Sequence, residues 1–171
     1  INSAKTVIAE INTNMPVTYG NSRVPVEKID LALESAVPLG TYRTPNPGER
    51  DTKIVDYVLD LVPDFAWVQL GIGSVPDAVL GRLADKRGVN LYSGMLSQGL
   101  VQFIENVKHM PKIVTGELAG DQEFFNFCAD SALVEMATVD VTHNILELAK
   151  LPRFVSINSA VEIDLHGQSN G

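Results

Sequence analysis

Gly71-Ile72-Gly73 is a stretch whose residue types and spacing could do chemistry. It follows an apolar run, Phe65-Ala66-Trp67-Val68, that reads as a buried strand, and it leads into residues 75–86, where Val75, Val79 and Leu83 recur with helical spacing. A strand, a glycine turn and a helix start in succession aim free backbone N–H groups and the positive end of a helix at one point. That geometry suits an anion or a developing oxyanion. Ser74 reads as the helix cap, Pro76 as a first-turn proline, and Asp77 as the acid of a capping box. The same turn also serves as an ordinary strand-to-helix connection of a parallel α/β protein. A dinucleotide or ATP cradle is not indicated, because Pro76 replaces the third glycine of G-x-G-x-x-G and no G-x-x-x-x-G-K-[ST] occurs.

Other reactive residue types are sparse. His109, His143 and His166 form no helical ligand pair, which argues against a metal site. Ser93 lies in Y-S-G-M-L, which is not a G-x-S-x-G elbow, so a serine hydrolase is not supported. Glu162 and Asp164 are candidate general bases, with a solvated strand face as the plainer explanation. Asn158-Ser159 follows a buried run at a strand end, where α/β sheets place ligand-binding side chains. Cys128 is the only cysteine and reads as a small buried apolar residue among Phe124, Phe125 and Phe127.

These residues need a scaffold, and the pattern along the chain supplies one. Strands are expected at 5–11, 65–70, 89–92, 112–115, within 133–141, at 154–157 and at 161–165, the last half-exposed. Helices are expected where Ile54, Tyr57, Val58 and Leu61 recur, at 75–86, from Leu100 to Ile104, at 121–129 and at 145–149. Ser93 to Gly99 reads as a second strand-to-helix turn, and Gly88 as a connection far from the motifs, where alanine should matter less than valine at Gly73. Alternating strands and helices predict an α/β fold with an open, mainly parallel sheet flanked by helices. With 45% hydrophobic and 20% charged residues in 171, the composition is that of a soluble domain. A net charge of -8 with no basic cluster argues against nucleic acid, and no apolar run is long enough for a membrane span. A cytoplasmic setting is the default expectation.

Two segments together carry a resemblance. Q-L-G-I-G-S-V-P-D-A-V-L at Gln69 to Leu80 and S-I-N-S-A-V-E-I-D-L-H-G-Q at Ser156 to Gln168 resemble the acetyl-CoA hydrolase/transferase family, which includes 4-hydroxybutyrate and acetate CoA-transferases. Softer matches are V-I-A-E-I-N-T-N-M-P at Val7 to Pro16, Ile29-Asp30, and V-D-V-T-H-N at Val139 to Asn144. Since family members are longer, the resemblance implies a central piece: residues 1–45 end one CoA-transferase-like domain and residues 46–171 begin an incomplete C-terminal-type one. It also implies coenzyme A as a substrate with no permanently bound cofactor, an acyl-CoA and a small carboxylate as partners, and a homodimer.

The family attacks the acyl-CoA carbonyl with a glutamate, forming an anhydride and then a glutamyl-CoA thioester. The resemblance assigns backbone N–H groups of Gly71, Ile72 and Gly73 to the reacting carbonyl and Asn158 to the thioester, with Met95, Gly99 and Gly167 at the CoA site. The family glutamate sits in a T-E-M-x-S-D-G-like stretch, matched here by Ser93-Gly94-Met95-Leu96-Ser97-Gln98-Gly99. Gly94 therefore takes the glutamate's place and should leave a gap beside the turn, with Glu162 the first suspect for a relocated nucleophile. Hydrolysis or transfer without the covalent glutamate is the expected activity; a catalytically silent CoA-binding homologue is the alternative.

Overall fold

The computed structural model describes Ile1 and residues 3–129 and 131–170. Its centre is a six-stranded sheet in which every pairing is parallel. The strands are, in chain order, β1 (Ile8–Asn12), β2 (Tyr19–Gly20), β3 (Leu31–Ser35), β4 (Trp67–Leu70), β5 (Asn90–Leu96), β6 (Ile113–Leu118), β7 (Val134–Met136), β8 (Phe154–Ile157), β9 (Glu162–Ile163) and β10 (Ser169–Asn170). The sheet order is β2-β7-β6-β5-β4-β8, while β1 and β3 form a separate parallel pair and β9 and β10 an antiparallel one. The helices are α1 (Glu49–Leu61), α2 (Ser74–Arg82), α3 (Gly99–Asn106), α4 (Gln122–Cys128), α5 (Val139–Thr142) and α6 (Ile145–Leu148).

From β4 the chain steps through β5, β6 and β7 in one direction, and β8 then returns to the other side of β4. This reversal makes the carboxyl ends of β4 and β8 a switch point, where connections leave in opposite directions and open a crevice. Registers align Leu70 with Ile157, so Gly71 and Asn158 emerge from the sheet side by side.

Both faces of a parallel sheet are covered, and its strands are apolar accordingly. Val68, Leu91, Ile113 and Val134 are buried from four successive strands, against Val79, Leu83, Leu100, Phe103 and Phe124 from the helices. Each such side chain contributes about 1.5–3 kcal/mol through burial. Cys128 belongs to this core, as expected, and burial pushes its thiol up to about 11.

Several local expectations change. On α1 most of the predicted stripe faces outward: Ile54, Tyr57 and Leu61 are exposed while Val58 is half-buried against the core, and Val55 and Leu59, with Val62 just past the helix, enter the core. The segment 93–99 is mostly strand, since β5 runs on to Leu96 and places Gly94 inside the sheet. The 161–165 run shortens to the two residues of β9, with Val161 and Leu165 exposed rather than half-buried. Gly88 has φ +64, and a Cβ there would strike the Phe65 ring, so alanine at this connection is strained. Among the described residues no helix is long and apolar enough to cross a membrane.

Candidate active site at the carboxyl edge of the sheet

The glycine turn closes β4 and opens α2, but its parts work differently from the sequence pattern. The helix cap is Gly73, at φ +127 and ψ 172, and Ser74 makes no side-chain cap. Only glycine adopts that dihedral without strain. Pro76 stays in the first turn, and Asp77 reaches across to the start of α3 instead of closing a capping box. Its Oδ1 accepts from the Gly99 N–H at 2.8 Å and from the Ser97 hydroxyl. The Gly99 N–H is thereby engaged within the protein.

The Gly71 N–H is engaged as well, donating to the Ile157 carbonyl at 2.8 Å. Among the described residues, the N–H groups of Ile72 and Gly73 meet no acceptor. The anion-holding capacity of the turn therefore rests on those two and on the first turn of α2. Gly71 contributes space: a Cβ there would lie 2.6 Å from the Asn158 Oδ1. Asn158 thus folds directly over Gly71, held by a 3.1 Å bond from its Nδ2 to the Ser156 hydroxyl.

Gly94 lies on the neighbouring strand. Ser93, fully buried, fastens that neighbour to β4: its Oγ accepts from the Leu70 N–H at 3.1 Å and lies 2.9 Å from the Leu70 carbonyl and 2.8 Å from that of Met95. Since Gly71 follows Leu70 and Gly94 follows Ser93, the two glycines leave this junction together. The structure therefore brings together Gly71, Ile72, Gly73, Gly94 and Asn158, with Met95 partly buried beside them.

The expected gap at Gly94 is filled. A Cβ at this position would stand 2.5 Å from Cε1 and 2.8 Å from Nε2 of His143, so an imidazole occupies the direction a side chain would take. Sequence reasoning weighed His143 only as a metal ligand and missed this. The available signal was its place just after β7, because segments following parallel strands gather at the same sheet edge. Glu162 and Gly167 are placed differently, in the exposed β9–β10 hairpin, whose hydrogen bonds among the described residues are internal: Val161 N–H to the Asn170 carbonyl at 2.7 Å, and Gly167 N–H to the Asp164 carbonyl at 3.1 Å. No hydrogen bond connects Glu162 to the glycine turn among the described residues.

A cleft of about 620 Å³ opens at Gly94, lined by Gly116, Glu117, Thr142 and His143 and by Arg23 from the N-terminal segment, while the glycine turn and Asn158 lie outside its lining. Burial raises the Tyr92 hydroxyl above its ordinary pKa, and that hydroxyl donates to the Val141 carbonyl at 2.9 Å, tying α5 to β5.

The mainly parallel sheet flanked by helices is a CoA-transferase-like fold, and the comparisons agree on that fold. Residues 120–171 match the acetyl-CoA hydrolase/transferase C-terminal domain. The chain is 39% identical over 174 residues to the 4-hydroxybutyrate coenzyme A transferase of Clostridium kluyveri, covering 97% of this chain and 41% of that protein. The crystal structure of RipA from Yersinia pestis superposes with a TM-score of 0.87 at 29% identity, over 98% of this chain and 41% of RipA. The 4-hydroxybutyrate CoA-transferase of Porphyromonas gingivalis gives 0.86 at 30% identity, over 98% and 45%. The chain is thus similar to members of the acetyl-CoA hydrolase/transferase family, whose C-terminal domain its residues 120–171 match, and it spans less than half the length of these relatives.

Proposed function

We propose that this chain forms the coenzyme A-ester site of an acyl-CoA-handling enzyme, which moves CoA between a short-chain acyl-CoA and a small carboxylate, or hydrolyses the acyl-CoA, without the family's covalent glutamate. The observation that carries this is the seating of Asn158 on Gly71 beside two unengaged turn N–H groups. In this role the Ile72 and Gly73 N–H groups receive the thioester oxygen, and the Asn158 amide faces the same group. Gly94 marks the glutamate's place, Met95, Gly99 and Gly167 border the CoA path, and Glu162 remains a reserve acid from the sequence reading. CoA acts as a passing substrate. Residues 46–171 as an incomplete C-terminal-type domain after the end of another at 1–45, a homodimer, and a cytoplasmic setting belong to the same proposal.

The test is turnover by the intact protein carrying this chain, with acetyl-, propionyl- and butyryl-CoA, with and without acetate as acceptor. Thiol release or acyl exchange supports the proposal; neither, across all three esters, overturns the enzymatic form of it. The glycine at position 94, which removes the family's carboxylate, favours a second reading: a catalytically silent CoA-binding homologue. Calorimetric CoA binding without turnover would select that one.

A further inference from the structure

We propose that His143 works as a general base in the place that the absent glutamate leaves at Gly94, making the intact protein an acyl-CoA thioester hydrolase; this rests on the acyl-CoA reading above. Three observations converge. The imidazole fills the volume a side chain at 94 would enter, with its Cε1–Nε2 edge toward the strand. The other ring nitrogen, Nδ1, lies 3.0 Å from Oγ1 of Thr142, which is fully buried. That hydroxyl also stands 3.5 Å from the Thr138 carbonyl. In the proposed role the hydroxyl proton is directed to Thr138 and the oxygen accepts from Nδ1–H, the tautomer in which Nε2 carries the free lone pair.

The third observation is how α5 reaches this edge. Gly94 and Gly116 leave adjacent strands bare, and a Cβ at Gly116 would lie 3.4 Å from the Thr142 Oγ1. Side chains at these positions would hold α5 away. After His143, the Asn144 Oδ1 accepts from the Leu146 N–H at 2.9 Å and fixes the turn into α6. The cleft in front of the ring has room for a thioester and a water.

The step balances without another reactant. Water oxygen bonds to the thioester carbonyl carbon as Nε2 takes a water proton, and the carbonyl electron pair moves onto the carbonyl oxygen as an oxyanion. Collapse breaks the C–S bond, and the imidazolium returns its proton to the leaving sulfur. The products are a carboxylic acid and CoA thiol. Water needs only a base, whereas transfer through a covalent enzyme-CoA needs the carboxylate this position lacks.

The experiment measures thiol release from acetyl-CoA by the intact wild type, His143→Gln and His143→Ala, with CoA binding followed calorimetrically and added imidazole as a rescue agent. We expect hydrolysis by the wild type, a loss of about 100-fold or more in both variants with CoA binding retained, and partial recovery of His143→Ala with rising imidazole. Folded, CoA-binding variants within twofold of the wild type overturn the role of His143, as does a loss that imidazole never restores in either a folded His143→Ala or a folded His143→Gly. Wild-type CoA binding without hydrolysis overturns this inference while leaving the CoA-site reading standing. Absence of both binding and turnover overturns both.

Discussion

Restoring a glutamate at position 94 is a perturbation whose size the structure sets. A Cβ there would meet His143 Cε1 at 2.5 Å. Carbon atoms in contact settle at about 3.5 Å, so the ring must retreat by about 1 Å. The ring is the end of an exposed side chain, so it can swing toward solvent, giving up its Thr142 bond at about 1 kcal/mol. Gly94→Glu should therefore fold, but with its carboxylate crowded by the displaced imidazole. Gly94→Glu combined with His143→Ala clears the place. Well-oriented groups reach effective molarities on the order of 10⁵ M, and a misplacement of about 1 Å costs about 100-fold, so the double variant should capture acyl-CoA about 100-fold faster than the single one. The assay incubates each intact protein with acetyl-CoA, reduces any glutamyl-CoA thioester with borohydride, and locates the modified residue by mass spectrometry. The wild type should give no adduct at 94. Equal capture by the two variants would refute the crowding by His143. No adduct in either, with both folded and binding CoA, would refute the placement of position 94 at the thioester.

Gly73→Val should weaken CoA-ester binding, because a β-branched residue at φ +127 costs about 1–3 kcal/mol in backbone strain and reshapes the turn; Gly40→Ala, whose Cβ meets nothing within 4 Å, is the control, and calorimetry compares them. Gly88→Ala should lower the melting temperature, since its methyl enters the Phe65 ring at φ +64, while CoA affinity of the folded fraction stays unchanged. Asp121 is held below its ordinary pKa of 3.8, chiefly by the Phe124 N–H it caps, with smaller help from Gln98 and Arg43. Its depressed folded pKa means that its stabilisation is present above the ordinary value and fades as pH falls through the folded one. Asp121→Ala should therefore melt earlier at neutral pH and lose less on further acidification below about pH 4, as thermal melts across pH would show.

The sheet was legible because parallel strands buried on both faces read as short apolar runs, and Phe154 to Ile157 emerges with its expected bounds. The meeting of the glycine turn with Asn158 was legible only through the resemblance; the switch point between β4 and β8 supplies its physical reason. The inward face of α1 was not, since Val55, Leu59 and Val62 have as good a helical spacing as Ile54, Val58 and Leu61, and only packing against the sheet chooses between them. Gly94 read as a turn because glycine usually punctuates, whereas here it lets an imidazole approach a strand. His143 is distant in sequence from that strand, and no local pattern encodes a contact made through the order of the sheet.

The central claim, a CoA-ester site at the Gly71–Asn158 edge, is tested most directly by calorimetric titration of CoA into the intact wild type and Gly71→Ala side by side. A methyl at position 71 would displace the Asn158 amide, whose Oδ1 lies 2.6 Å from the Cβ position. A wild-type binding isotherm weakened about tenfold or more by the substitution, an effect of about 1.4 kcal/mol, is the predicted result. No CoA binding by the wild type, or equal affinity in the two proteins with Gly71→Ala folded, would contradict it.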